Sequence, residues 1–316
     1  MSRALVTGMG GQDGSYLAEL LLARDYHVVG LVRDAKEKYE NLAAVRDRVE
    51  LVSADLLDTR VLTQLLSEHR PREVYNLASP SFVPRSWDHP VETAEFAAVG
   101  VTSLLEAVRE VDDTIRVYQA SSSEIFGEPA ETPQSETTPL GPVTPYGVAK
   151  AYGHFIIGSY RRRYGLHASC GILYNHESPR RPETFLPSKV AHGVAAIAAG
   201  TATELVLGDL DAQRDWGYAH DYVRAMWTML QQDEPDDYVI ATGELHSVGE
   251  LVEIAFAHVG LDWSAHVRVD ESLKRGQAEL HRLVGDPWRA QTRLGWQPTV
   301  SFDELVALLV DAAVAA

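Results

Sequence analysis

Short apolar runs alternate with helical patterns along the first half of the chain, and this alternation restricts the fold more than any other feature. Five runs are unbroken in hydrophobicity, as buried strands are: ALVTG, HVVGLV, VELVSAD, EVYNLAS and IRVYQAS. A helical or charged stretch follows each of them, and a sixth apolar run, HASCGILY, follows a long predicted helix at 146–164. Such alternation predicts an α/β fold, with a doubly wound parallel sheet and helices on both faces.

The pattern loosens near residue 176, where loops rich in Pro, Gly and charged residues mix with further helices. We therefore expect residues 1–175 to form the domain that holds the sheet, with later segments returning to it. Residues 176–316 are expected to form mainly a smaller C-terminal lobe that binds substrate.

Composition excludes several classes of partner. The 316 residues carry a formal charge of -17, which argues against nucleic acid or an anionic membrane as the main partner. The single cysteine, Cys170, lies in an apolar run and permits no intramolecular disulfide. The histidines lack metal-ligand spacing, no signal-peptide pattern precedes the first strand, and no stretch approaches the ~20 apolar residues of a membrane span. We expect a cytoplasmic protein without a metal.

A glycine-rich turn, TGMGGQDG, joins the first strand to the first helix. Its glycines at 8, 11 and 14 allow a tight turn and the close approach of a diphosphate to the positive end of the helix. The context of strand, turn and helix predicts a Rossmann-type dinucleotide site. Its predicted contacts are Gly8, Gly11, Gln12, Asp13 and Gly14.

The end of the second strand leaves the choice of dinucleotide open. Asp34 would accept a hydrogen bond from a ribose 2′-hydroxyl and favour NAD, whereas Arg33 would pair with the 2′-phosphate of NADP. If Asp34 governs the choice, NAD should bind at least comparably to NADP. Asp55, after the third strand and next to Leu56, is expected either to bind the adenine or to cap the following helix.

A tyrosine and a lysine stand four residues apart in PYGVAK. On a helix, Tyr146 and Lys150 share one face. A phenol with an ordinary pKa near 10 is a poor base at neutral pH unless a cation stabilises the phenolate, and Lys150 supplies one. The hydroxyls of SSS at 121–123 follow a strand end and are suited to orienting a substrate hydroxyl.

These motifs together carry a family resemblance. TGMGGQDG, YNLAS, SSSE and YGVAK resemble the extended short-chain dehydrogenase/reductases that modify nucleotide sugars. YQASSSE, GILYNHESPRR, LDAQRDWGYAHDYVRAMWTMLQQDEPDDYVIATGE and LVGDPWRAQTRLGW are similar to the GDP-mannose 4,6-dehydratase family over nearly the whole chain. The resemblance implies a tightly bound, recycled NADP or NAD and a nucleotide-sugar substrate in the C-terminal lobe.

The resemblance also assigns catalytic roles. It implies that Tyr146 is the base on the sugar 4-hydroxyl, that Lys150 supports it, and that Ser122 stands at the family's Thr or Ser position. Oxidation at C4 makes the C5 hydrogen acidic, so a carboxylate over C5 can remove it while water leaves from C6. Glu124 is the expected carboxylate.

The remaining predicted contacts also follow from the resemblance. His176 joins the cofactor-binding residues, and Arg180 and Arg181 are assigned to cofactor or oligomer contacts rather than to substrate. The predicted substrate-binding residues are Ser81, Ser123, Asn175, Glu183, Lys189, Arg214 and Arg275, with Arg282 as the alternative to Arg275.

Several segments depart from the family pattern. The stretch after the second strand is short and has Asp34 where a second arginine is expected, which leaves both the dinucleotide and the choice between homodimer and tetramer open. Pro80 and Phe82 replace polar residues in a loop that faces the sugar. The alternatives are therefore a decarboxylase or 4-epimerase of another nucleotide sugar, such as UDP-glucuronate, and more remotely a non-catalytic dinucleotide sensor.

Overall fold

The computed structural model describes residues 2–273 and 282–316 and shows a parallel sheet between layers of helices. The strands are β1 (Arg3–Thr7), β2 (His27–Val32), β3 (Glu50–Ser53), β4 (Glu73–Asn76), β5 (Arg116–Ala120), β6 (Ala168–Leu173), β7 (Asn175–Glu177), β8 (Leu205–Leu207), β9 (Gln213–Arg214), β10 (Trp216–Tyr218), β11 (Tyr238–Ile240), β12 (His246–Ser247) and β13 (Val267–Val269).

Helices follow most strands of this sheet, as the alternating pattern predicts. They are α1 (Gln12–Leu22), α2 (Thr59–His69), α3 (Arg85–Asp88), α4 (Pro90–Ala94), α5 (Gly100–Val111), α6 (Pro145–Tyr164), α7 (Leu186–Ala198), α8 (Ala219–Met229), α9 (Val248–His258), α10 (Trp288–Leu294) and α11 (Phe302–Ala315).

The main sheet has the strand order β3-β2-β1-β4-β5-β6-β11, and every neighbouring pair is parallel. The order reverses between β1 and β4, so the loops that leave these two strands diverge and open a crevice at the carboxyl edge of the sheet. The prediction of a Rossmann-type, doubly wound parallel sheet is confirmed.

Apolar cores fill both faces of the sheet. On one face α1 packs against α8, and on the other α2 packs against α5. Met226 and Met229 of α8 are fully buried in the first core, so the methionine stripe of this helix serves packing. Cys170 is buried in the second core as a free thiol.

One predicted helix differs from the structure. The sequence pattern predicts an uninterrupted helix across residues 89–110, whereas a π-helical turn, Glu95–Val99, separates α4 from α5. The turn packs closely against Gly153 of α6. A Cβ atom at residue 153 would lie only 2.9 Å from the carbonyl oxygen of Ala97. The close approach to α6 is a tertiary contact that periodicity along one helix does not encode.

The C-terminal part of the chain contributes to two regions. β11 completes the main sheet, whereas α7, α9 and α11 surround a separate apolar core. Three two-stranded ladders, β7 with β10, β9 with β12 and β8 with β13, connect these helices. The boundary between residues 175 and 176 stays a prediction. In the described ranges, no helix combines the length and apolarity that crossing a bilayer requires.

Candidate active site

A cleft of about 700 Å³ lies where the strand order reverses. Its walls come from the turn after β1, the ends of β2 and β3, and the loop after β4. It is lined by Gly8, Gly11, Gln12, Asp13, Gly14, Leu31, Val32, Arg33, Ser53, Ala54, Asp55, Leu56, Leu77, Ala78, Ser79, Pro80, Ser81, Arg85, Phe96 and Arg181. The cleft therefore brings together nine residues for which the sequence predicts cofactor or substrate contacts.

The glycine turn has a backbone that side chains would obstruct. Gly8 has φ +67°, in the left-handed region. A Cβ atom on Gly14 would lie 2.5 Å from the carbonyl oxygen of Gly8 and 2.5 Å from Cα of Met9. Gly11 precedes α1 without a side-chain cap. The amino end of α1 is thus open to the cleft, which is the arrangement that binds a dinucleotide diphosphate.

A buried hydrogen-bond chain fixes the edge of the sheet beneath this turn. The hydroxyl of Thr7 donates to Asn76 Oδ1 (2.7 Å), and Asn76 Nδ2 donates to Gln119 Oε1 (2.7 Å). Thr7 Oγ1 also accepts from the backbone N–H groups of Leu77 and Ala78, both at 3.0 Å. The chain links the ends of β1, β4 and β5 where the cleft opens.

The two residues proposed to select the dinucleotide lie in different surroundings. Arg33 lines the cleft, with its guanidinium 5.3 Å from the Phe96 ring and 3.8 Å from the Glu92 carboxylate. Asp34 instead accepts a hydrogen bond from the backbone of Lys36 (2.9 Å). The side chain at the cleft is therefore the arginine.

Asp55 lines the cleft and is not the cap of the next helix. Its carboxylate accepts from the backbone N–H of Leu57 (3.0 Å). The cap of α2 is Asp58, which accepts from Arg60 and Val61. The helix-capping interpretation of Asp55 is therefore wrong, and its contact with the adenine stays a prediction.

His176 and Asp13 form an ion pair beside the glycine turn. Nε2 of His176 lies 2.9 Å from the Asp13 carboxylate, and Nδ1 lies 2.7 Å from the carbonyl of Tyr174. Because both neighbours are acceptors, both ring nitrogens must carry a proton. Burial favours neutral groups, yet the mutual attraction raises the pKa of His176 and lowers the pKa of Asp13. The ring also stacks on Tyr222, at 4.6 Å.

Tyr146 and Lys150 lie at the start of α6. Thr144 caps this helix by accepting from the N–H of Gly147 (2.9 Å), and Pro145 occupies its first turn. Lys150 Nζ donates to the carbonyl of Ala120 at the end of β5 (3.0 Å) and lies 5.6 Å from the centre of the Tyr146 ring. The predicted helix therefore places both side chains against the carboxyl edge of the sheet.

Burial dominates the protonation of this pair. It raises the pKa of Tyr146 to about 12. The negative charge of Glu124 adds to this rise, whereas the hydrogen bond with Ser122 lowers the pKa by a smaller amount. Burial also lowers the pKa of Lys150 to about 8. Positive charge brought to the site by a bound ligand would lower the pKa of Tyr146 and favour proton transfer from a substrate hydroxyl.

Glu124 lies in a tight turn that α6 approaches closely. Its backbone N–H donates to Ser122 Oγ (3.2 Å), which opens a 3-10 turn at Ser123–Ile125. A Cβ atom on Gly147 would lie 2.6 Å from the carbonyl oxygen of Glu124. Only glycine at 147 lets the turn and the helix approach this closely. The glycine that follows Tyr146 therefore indicates close packing against the Glu124 turn, which the sequence analysis did not infer.

The two arginines after β7 have separate contacts. Arg180 donates to Ser15 (3.0 Å), pairs with Glu19 of α1 and lies over the Tyr16 ring at 3.9 Å. Arg181 lines the cleft, which supports the assignment of this arginine to the cofactor. The sequence assigns both arginines to cofactor or oligomer contacts, because nothing in the pair distinguishes one from the other.

The predicted substrate residues of the lobe are distributed over several elements. Asn175 begins β7, and Arg214 Nη1 donates to the carbonyl of Gln213 (2.7 Å). Glu183 lies 3.7 Å from His192 in exposed positions, and Lys189 Nζ donates to the carbonyl of Val206 (2.9 Å). Their substrate roles stay predictions, and Arg275 lies outside the described residues.

No group of three or more His, Cys, Asp or Glu side chains suited to a metal ion occurs within residues 2–273 and 282–316.

The cleft contains side chains that the sequence did not single out for the dinucleotide. Phe96 and Arg85 reach it from the turns and helices after β4, and Val32 and Ser53 from the ends of β2 and β3. Their positions depend on how the helices pack, and no local sequence motif predicts that packing.

Comparison with known proteins identifies the family. The family described as GDP-mannose 4,6 dehydratase matches residues 5–309. GDP-mannose 4,6 dehydratase 1 of Arabidopsis thaliana is 46% identical over 321 residues, covering 98% of this chain and 88% of the relative. The human GDP-mannose 4,6 dehydratase is 44% identical over 337 residues, covering 98% and 90% respectively.

A solved structure has the same fold. DesIV, a dTDP-glucose 4,6-dehydratase from Streptomyces venezuelae determined with NAD bound, superposes with a TM-score of 0.85 at 27% identity, covering 98% of this chain and 96% of that one. The sequence match and the shared fold extend over nearly the whole chain. This chain belongs to the GDP-mannose 4,6-dehydratase family.

Proposed function

We propose that the protein is an NAD(P)-dependent nucleotide-sugar dehydratase that converts GDP-mannose into GDP-4-keto-6-deoxymannose with loss of water. The family membership and the relatives that carry this name support the activity. The single observation that carries the mechanism is the position of Glu124, in a turn packed against the helix that holds Tyr146 and Lys150.

The residues of the cleft fit a dinucleotide. A glycine turn without Cβ atoms faces the amino end of α1, and Arg181 adds a cation that an anionic diphosphate requires. A bound NAD(P) would supply the hydride acceptor for C4 of the sugar and the hydride donor for C6, so it would be recycled within each turnover.

Tyr146, Lys150 and Ser122 handle the first proton in this scheme. Tyr146 accepts the proton of the sugar 4-hydroxyl, and its hydrogen bond with Ser122 lowers the cost of the phenolate. The Lys150 ammonium, anchored on the carbonyl of Ala120, lies near enough to stabilise that charge. Ser122 and Ser123 orient the hydroxyl that reacts.

Glu124 handles the second proton. Once C4 is a ketone, the C5 hydrogen is acidic because the resulting carbanion is stabilised as an enolate. The Glu124 carboxylate removes this proton and passes it to the departing 6-hydroxyl, so that water leaves and the carboxylate is regenerated. An epimerase inverts one carbon by oxidation and reduction alone and has no need of this carboxylate. Glu124 therefore favours elimination over epimerisation.

We assign the nucleotide sugar to the side of the cleft formed by the C-terminal lobe. Asn175, at the start of β7, directly precedes His176, whose ring touches the glycine turn. Glu183, Lys189, Arg214 and Arg275 are assigned to the nucleotide sugar by their similarity to the family. A cytoplasmic location and a lobe boundary near residue 176 are part of the same prediction.

We also propose that two copies pair through α4, α5 and α6. Five apolar side chains on this surface are between 46% and 69% exposed: Val91, Val99, Val148, Tyr152 and Phe155. Apolar patches of this kind mark interfaces in soluble proteins. Sedimentation should give twice the 34.8 kDa chain mass, and Phe155→Glu should reduce it, whereas Val314→Glu on α11 should not.

Incubation with GDP-mannose in deuterated water, followed by NMR, tests the activity. The expected product is a 4-keto-6-deoxy sugar with deuterium at C5, the carbon from which Glu124 takes the proton. UDP-glucuronate serves as the comparison substrate. Loss of carbon dioxide from UDP-glucuronate without turnover of GDP-mannose would replace the dehydratase with a decarboxylase.

A further inference from the structure

Two aromatic side chains meet at the edge of the cleft. Phe82 lies in the loop after β4, next to Ser81 of the cleft wall, and Phe185 lies between β7 and α7. Their ring centroids are 5.5 Å apart at an interplanar angle of 78°, an edge-to-face contact. Both side chains are only partly buried. Two loops on different sides of the cleft are therefore connected by this ring pair.

A charged residue extends the contact into the cleft. The guanidinium of Arg181 lies 3.6 Å from the centre of the Phe185 ring. Arg181 Nε lies 3.4 Å from the carboxylate of Glu177, which is 3% exposed. Arg181 is itself part of the cleft wall. Phe82, Phe185, Arg181 and Glu177 thus form a row that leads from the rim to the interior.

The ion pair at the inner end is incompletely satisfied by hydrogen bonds. Arg181 Nε and Glu177 Oε2 are both buried and have no hydrogen-bond partner. Burial raises the pKa of Glu177, and the charge of Arg181 opposes that rise. The guanidinium is therefore positioned by stacking on Phe185 and by charge attraction, not by a saturated hydrogen-bond network. An anionic ligand in the cleft would complete its coordination.

We propose that Phe82, Phe185 and Arg181 form a clasp that closes the cleft over the bound dinucleotide and slows its release. This inference rests on the proposed function, in which the cofactor ends each turnover in its starting state and has no need to leave. In this proposal, the Phe82–Phe185 contact has to open before the cleft releases its ligand. Phe82, at a position expected to face the sugar, is thereby assigned to cofactor retention.

Cofactor release measures the clasp directly. Protein loaded with NADPH, or with NADH in a parallel series, is mixed with a large excess of the oxidised dinucleotide, and the loss of bound fluorescence gives the dissociation rate. Phe82→Ala should release the reduced cofactor several-fold to about tenfold faster, as expected from losing one aromatic pair. Phe82→Tyr keeps the ring and should release it at the wild-type rate. Phe185→Leu should resemble Phe82→Ala or exceed it, because Phe185 also supports Arg181.

The association rate and the KM for GDP-mannose separate the clasp from other roles. Opening the clasp should change dissociation and leave association and KM near their wild-type values. A dissociation rate unchanged in Phe82→Ala overturns the clasp, and so does a raised KM with unchanged dissociation, which places Phe82 in the sugar pocket. Wild-type protein that binds neither NADPH nor NADH overturns the proposed function itself, a result distinct from either.

Discussion

The ammonium of Lys150 lies 5.6 Å from the centre of the Tyr146 ring and donates a hydrogen bond to the carbonyl of Ala120. Ala120 is the last residue of β5, so the sheet itself positions the Lys150 ammonium. Burial raises the pKa of Tyr146 to about 12 and lowers the pKa of Lys150 to about 8. Both shifts disfavour charge in the pair, and the positive nicotinamide of an oxidised cofactor would favour the phenolate.

Tyr146→Phe removes the proposed base and leaves the cleft intact. We expect turnover of GDP-mannose to fall by about 10²–10⁴-fold, the range of general acid–base catalysis, with cofactor affinity near the wild-type value. Steady-state kinetics and dinucleotide titration measure the two quantities. Tyr164→Phe at the far end of the same helix, at a 44% exposed position, is the matched control and should remain active. Near-normal turnover of Tyr146→Phe would withdraw the assignment.

Glu124→Gln should separate oxidation from elimination. The amide cannot remove the C5 proton, whereas oxidation at C4 depends on Tyr146. We expect reduced cofactor to accumulate on mixing with GDP-mannose, seen as a rise in near-ultraviolet absorbance in stopped flow, while product formation slows by about 10²-fold or more. Glu128→Gln, at an exposed position beyond the turn, should behave as wild type. Equal slowing of both steps would give Glu124 a structural role.

The sequence predicts the framework of this site because local patterns encode it. Unbroken apolar runs locate β1 to β6 along the chain. The structure shows the steric need for glycine at Gly8 and Gly14 of the turn. The four-residue spacing of Tyr146 and Lys150 suffices to place both on one helix face. Each of these signals lies within a few residues of the feature it predicts.

The contacts that complete the site are long-range and leave no local signal. Asp13 and His176 are separated by 163 positions, and nothing near either residue indicates the other. The Phe82–Phe185 ring pair is equally remote along the chain. Which of Arg180 and Arg181 faces the cleft depends on the path of the chain after β7. Tertiary packing determines these long-range contacts, and the periodicity of the sequence does not predict them.

Arg33 should set the preference for the dinucleotide, since it lines the cleft while Asp34 is occupied by its own turn. We expect the protein to favour NADP, and Arg33→Met to weaken NADP binding by about tenfold with little change for NAD. Titration calorimetry with both dinucleotides measures this. Asp34→Asn keeps the acceptor of the turn and serves as the control. A strong preference for NAD in the wild type would show that Asp34 governs the choice.

The Asp13–His176 pair should make stability depend on pH in a defined direction. The pKa of His176 is raised, so its contribution is fully present below the ordinary histidine value of about 6.5 and is lost as pH rises through the folded-state pKa. The pKa of Asp13 is lowered, so its contribution is present above the ordinary value of about 3.9 and is lost as pH falls through the folded-state pKa. The pair therefore stabilises the fold most between these two ordinary values.

Asp13→Asn tests this window. We expect a loss of about 1–3 kcal/mol in the free energy of unfolding near the acidic side of neutrality, because buried His176 loses the partner of its charged form. The difference from wild type should shrink as pH rises past the folded-state pKa of His176, where the imidazole is neutral in both proteins. Arg181 opposes protonation of His176 and the carbonyl of Tyr174 favours it, and both are unchanged in the variant. Urea unfolding across a pH series measures the difference. Asp58→Asn, which keeps the cap of α2, should show no such pH dependence, and a pH-independent loss in Asp13→Asn would mean that the pair is not ionic.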